Sequence, residues 1–181
     1  MTLVFLLEEQ SMKVLIDNII GAIVPQGVQV ITVPHEGKSD LEKSIPVKLR
    51  AWRTPDTKFV IVHDQDSNDC MTLKSHLLDL CMGRKEDVLV RISCHELESW
   101  YFGDLAAVEK AYDIDLSSIK GKAKYRHPDQ IVSPKHELRK IIPQHQQIEG
   151  ASRIAKFMDV DGNSSRSFQV FVEGVRRLTA N

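Results

Sequence analysis

The 181-residue sequence is poor in cysteine, with three residues at 70, 81 and 94 and no Cys-x-x-Cys pair. That excludes a disulfide framework and a self-contained four-ligand zinc site, and it fits a reducing cytoplasm. No apolar stretch approaches the length of a membrane span. Residues 1–7 are apolar but run straight into Glu8 and Glu9, without the basic leader and cleavage site of a secretory signal. Internal repeats and low-complexity tracts are missing as well. Excess charge is nearly absent, since 24 basic side chains face 25 acidic ones.

That balance conceals a division. Residues 1–119 hold 12 Lys and Arg against 19 Asp and Glu, whereas residues 120–181 hold 12 against 6. An acidic part suited to metal ions is thus followed by a basic part suited to an anionic polymer, although a solvated loop-rich face would carry the same charges. The candidate phosphate-contacting cations are Lys120, Lys122, Lys124, Arg126, Lys135 and Arg166.

Hydrophobic periodicity predicts alternating strands and helices. Residues 3–7 form an apolar run typical of a strand buried on both faces. Met12, Leu15, Ile16, Ile19, Ile20 and Ile23 recur at helical spacing until Pro25. A β-branched run at 28–33 follows, then a helix capped by Ser39 or Asp40, with Pro46 near its first turns. Residues 59–63 and 88–92 give two further strands, separated by a helix over 71–81. Trp52, Trp100 and Tyr101 read as core residues. The reading is an α/β fold, doubly wound, with a mainly parallel four-stranded sheet over residues 1–113 and a basic, mainly helical subdomain over 114–181.

In such a sheet the ligand crevice lies outside the carboxyl ends of the strands. Those ends are acidic here: Glu8 and Glu9 after the first strand, His63-Asp64-Gln65-Asp66 after the third, and His95-Glu96-Leu97-Glu98 after the fourth. If the first and third strands are neighbours, their carboxylates repel one another, and a hard divalent cation such as Mg²⁺ or Mn²⁺ relieves that repulsion with oxygen ligands alone. In an extended D-x-D, Asp64 and Asp66 project to the same side. Glu8 directly continues the strand and is the favoured ligand, with Glu9 the alternative and Glu98 a further candidate. His63, His95 and Glu96 flank the cluster as candidate acid–base or hydrogen-bonding groups. The simpler alternative makes Asp64, Asp66 and Ser67 turn and cap residues and leaves Glu8 and Glu9 to favour a helix N-terminus.

An apolar strand ending in Glu, an intervening α/β unit and an apolar strand ending in D-x-D together resemble the Toprim domain; the matching residues are 4–8 and 59–66. Over the whole chain the sequence is similar to small bacterial Toprim-like proteins of the domain-of-unknown-function family DUF4276, through HEGKSDLEKSIPVKLRAW, HDQDSNDC, ELESWYFGDLAAVEKAY and SRSFQVFVEGVRRL. In place of the usual Glu-Gly after the first strand stands Glu8-Glu9. The resemblance implies a Mg²⁺-dependent nuclease acting on DNA or RNA, an ABC- or AAA-type ATPase partner and a role in antiviral defence, with homo-oligomerisation open. Two other classes compete with it: a non-catalytic metal- and partner-binding regulatory module, and a receiver-like phosphoacceptor using Asp64 with Ser93, which would lack the fifth strand ending in Lys. Gly37-Lys38-Ser39 does not complete a P-loop, His95-Glu96 does not complete a zincin motif, and the segment from Asp159 lacks the glutamate of a calcium loop.

Overall fold

The computed structural model describes residues 1–81 and 83–180. The first apolar run forms β1 (Thr2–Leu7), buried along its whole length. It is followed by α1 (Gln10–Ile19), β2 (Gln29–Pro34), α2 (Lys38–Ala51), β3 (Thr57–Asp64), α3 (Cys70–Leu80) and β4 (Val88–Ser93). The strand order is β2-β1-β3-β4 and every pairing is parallel. β1 and β3 are therefore interior strands, which is why both read as unbroken apolar runs, while β2 at an edge is only half-buried.

From β1 the chain crosses outward to β2, and from β3 it crosses the opposite way to β4. That reversal opens a crevice beyond the carboxyl ends of β1 and β3. The register sets Leu7 beside Val62 and Asp64 beside Ser93. Strand alternation divides the core between two faces. Val4, Leu6, Phe59, Ile61, Val90 and Ile92 pack under Leu41, Ile45 and Leu49 of α2 and Leu73 and Leu77 of α3.

The other face carries Leu3, Phe5, Leu7, Val60 and Val62 beneath α1, whose Met12, Leu15, Ile16 and Ile19 form its inward stripe. After α4 (Glu98–Phe102), α5 (Leu105–Tyr112), α6 (Ser117–Lys120) and α7 (Pro134–Ile141) come α8 (Gln147–Ala155) and α9 (Arg166–Thr179). Phe168, Phe171, Val172 and Val175 of α9, with Ala151 and Ile154 of α8, belong to this same cluster, so residues 114–181 help to cover the sheet. Trp100 stands 5.2 Å from Phe168 and 5.0 Å from Phe171 between ring centroids, and Phe5 stands 6.3 Å from Phe171. Trp100 and Tyr101 are buried, and Trp52 lies edge-on to Phe59.

Three local expectations are corrected. α2 is entered through Gly37 at φ 97°, a left-handed conformation that suits glycine, and neither Ser39 nor Asp40 is its cap. Asp40 accepts instead from the Glu36 N–H at 3.1 Å. Pro46 sits in the interior of α2, where its missing N–H leaves the Glu42 carbonyl without that intrahelical donor. The cap of α3 is Asp69, which accepts from the Thr72 N–H at 2.9 Å, so Asp64, Asp66 and Ser67 do not have that task.

Because α9 seals the sheet through its aromatic stripe, Phe171→Ala should lower stability by about 3–5 kcal/mol, measured by urea unfolding. A loss below about 1 kcal/mol would show that α9 is not integral to the core.

Candidate acidic site at the strand ends

The turn after β1 aims Glu8 across the crevice. Its Oε2 accepts the Asp64 N–H at 2.9 Å and lies 3.1 Å from His63 Nδ1. His63 Nδ1 is also 2.5 Å from the Asp64 carbonyl. Both neighbours are acceptors, which places the ring proton on Nδ1. His63 Nε2 is buried with no hydrogen-bond partner and stands 3.5 Å from Glu42 Oε1. His63 thus orients Glu8 from within the core.

Asp64 is 8% exposed, and its Oδ1 accepts from the Ser93 hydroxyl at the end of β4. Burial, then the charge of Glu8, pushes the Asp64 carboxyl well above its ordinary range, against the Ser93 hydrogen bond. Burial also raises Glu8, opposed by His63 and the Asp64 N–H and reinforced by Asp66 and Glu9. Glu98, in the first turn of α4, is 3% exposed and is pushed up to about 7, again chiefly by burial; its own backbone and Lys135 oppose the rise, and Glu96 and Glu9 add to it. Among the described residues neither Asp64 nor Glu98 has a Lys or Arg in ion-pair contact.

The remaining residues of the expected site diverge. Asp66 adopts φ 52°, so the alternation of an extended D-x-D does not apply to it. Its N–H donates to the His95 carbonyl at 2.7 Å, and its Oδ2 lies 3.1 Å from Lys38 Nζ. His95, at φ 60°, donates its N–H to Gln65 Oε1 at 3.2 Å and has Nδ1 3.2 Å from the Asp66 carbonyl. Its place is thus in the interlock between the loops after β3 and β4. Glu9 accepts from Ser11 and from Gln147 Nε2, and Glu96 Oε2 accepts from the Lys135 N–H in the first turn of α7.

Among the described residues no three His, Cys, Asp or Glu side chains form an assembled metal-binding set. The donor chemistry nonetheless fits a hard divalent ion: Glu8, Asp64 and Glu98 offer carboxylate oxygens, and the two most buried of them are in ion-pair contact with no Lys or Arg among the described residues. Lys38 and Glu42 belong to this neighbourhood and were not picked out from sequence. The available signal was Lys38 following Gly37, just beyond the strand that pairs with β1.

The basic segment does not form one array. Lys120 is ion-paired with Glu109, and Lys124 stands 2.6 Å from Glu137. Lys122 and Arg126 are exposed. Lys135 approaches the acidic site from α7, and Arg166, exposed at the start of α9, lies 3.4 Å from Glu173.

An all-parallel four-stranded sheet, helices on both faces and an acidic crevice at its switch point define a Toprim-like α/β protein. In fold the chain is similar to the C-terminal region of the Burkholderia pseudomallei OLD protein, with 17% identity and a TM-score of 0.52 over 99% of this chain and 98% of that one. The family model for the domain of unknown function DUF4276 matches residues 7–176, and the chain belongs to that family. No curated protein matches it. No helix among the described residues is long and apolar enough to cross a membrane.

The raised carboxyl of Glu98 makes stability pH-dependent. The folded state keeps this proton longer than the unfolded chain, so its stabilising effect is full below about pH 4.5 and is lost as pH rises to about 7. Glu98→Gln should remove a decline of up to about 3 kcal/mol from urea-unfolding free energies across that window. An unchanged slope would refute the assignment.

Proposed function

We propose that this protein hydrolyses phosphodiester bonds of nucleic acid with Mg²⁺ or Mn²⁺ held by Glu8, Asp64 and Asp66, and with Glu9 and Glu98 as supplementary carboxylates. The observation that carries this reading is the convergence of buried carboxylates on the switch-point crevice, with no Lys or Arg among the described residues in ion-pair contact with Asp64 or Glu98. A bound divalent ion would supply activation of water and stabilisation of charge on the leaving oxygen.

The protein's own residues divide the remaining tasks. The Asp64 N–H and His63 hold Glu8 in the crevice, and Ser93 orients Asp64. Glu98, titrating near neutral pH, is suited to exchanging a proton with the reacting groups. Lys38 can move from Asp66 to a substrate phosphate, and Lys122, Arg126, Lys135 and Arg166 add phosphate contacts around the site. Within this reading the chain is the nuclease of an ATPase-coupled defence system in the cytoplasm. A second reading, a metal- or partner-binding module without turnover, is favoured by the Lys38–Asp66 ion pair, which ties up one expected ligand.

Incubation of DNA and RNA with the protein and Mg²⁺ or Mn²⁺ separates these readings. Cleavage by the wild type should fall by roughly a hundredfold or more in Asp64→Asn. Equal activity in both proteins, or none even with the ATPase partner, rules the nuclease out.

A further inference from the structure

Arg91 is a buried cation outside the acidic site. It is 9% exposed, and its Nε donates to the Val170 carbonyl at 3.0 Å and its Nη1 to the Val90 carbonyl at 2.8 Å. Gly174 makes room for it, because a Cβ there would lie 2.2 Å from Arg91 Nη2. Backbone carbonyls therefore fix the guanidinium between β4 and α9, and no carboxylate among the described residues forms an ion pair with it. A buried charge left this way is costly unless an anion meets it.

Arg91 lines a cavity of about 230 Å³ that wraps over the open edge of β4. Lys74 reaches it from α3 and Arg166 from α9, while Val90, Ile92 and Val170 supply an apolar wall. Lys74 forms no ion pair with a described residue. Asp129 also borders the cavity, but its oxygens are engaged by the hydroxyls of Ser165 and Ser167 and by the Ser167 N–H at 2.7 Å. The cavity adjoins the acidic crevice: Cys94 in its lining directly follows Ser93, the hydroxyl partner of Asp64. An apolar wall beside three cations matches a base with its phosphate.

We propose that this cavity is a nucleotide subsite for a nucleic-acid strand passing the acidic site, with Arg91, Lys74 and Arg166 on a phosphate and Val90, Ile92 and Val170 against the base. It rests on the nucleic-acid reading of that site and deepens it by placing the strand along the β4 edge.

Fluorescence anisotropy of a short labelled single-stranded oligonucleotide, in EDTA and over a series of salt concentrations, tests it without cleavage. Lys74→Gln with Arg166→Gln should weaken binding by roughly tenfold and lower the slope of log affinity against log salt by roughly 0.7 per cation removed. Arg91→Gln should do the same, with circular dichroism confirming that it folds; the half-buried Lys74 and exposed Arg166 keep the test decisive if it does not. Because binding is read in EDTA without cleavage, failure of the catalytic reading and failure of the subsite are read out separately. Unchanged affinity and slope in the double variant overturn the proposal. It is also overturned if a 5′-mononucleotide binds as tightly as the oligonucleotide, which marks a free-nucleotide site, or if the variants abolish only a dimer.

Discussion

Carboxylates withdrawn from water at the mouth of the sheet are the constraint on which the rest depends. β1 and β3 are interior strands, so the residues that continue them emerge between packed helices. Desolvation raises Glu8, Asp64 and Glu98, and the charges of Glu8 and Glu98 add to the penalty on Asp64. The protein mitigates this with neutral donors, the Ser93 hydroxyl and the Asp64 N–H, and keeps lysine at the margin on Asp66. A fully neutralised cluster would be more stable and chemically inert.

The C-terminal helices make that desolvation complete. α9 brings Phe168 and Phe171 against Trp100 at the end of the segment that follows β4, and α8 delivers Gln147 to Glu9. Without them the exposed face of β1 and β3 would admit water up to the crevice. The hub at Ser167 shows how closely the parts are fitted: its hydroxyl receives the Trp100 indole N–H at 2.9 Å and donates to Asp129 at 3.0 Å. A strand end, a helix and a distant loop are thereby positioned from one turn of α9.

Much of this was legible in the residues. Buried parallel strands demand unbroken apolar runs, so 3–7 and 59–63 announced the interior strands, and the acids after them announced the crevice. The strand-end residues Glu8, Asp64 and Glu98 came together because a parallel sheet puts all its carboxyl ends on one side. Asp66 escaped the pattern because its left-handed backbone is set by the His95 carbonyl, a partner twenty-nine residues away. Asp69 escaped it because D-S-N-D contains several equally good caps, and only the chain's path chooses among them. The stripe on α9 declared a helix but not the surface it covers, which is a property of the assembled core.

Arg91 has a second consequence, independent of any ligand. β4 is an edge strand, and an edge with free carbonyls invites another chain to add itself in β-sheet register. The guanidinium occupies the Val90 carbonyl and holds a fixed positive charge under that border, so an approaching strand meets both a taken acceptor and an electrostatic barrier. The same side chain therefore guards the protein against edge-to-edge aggregation, and its loss should be felt first in solubility at high concentration.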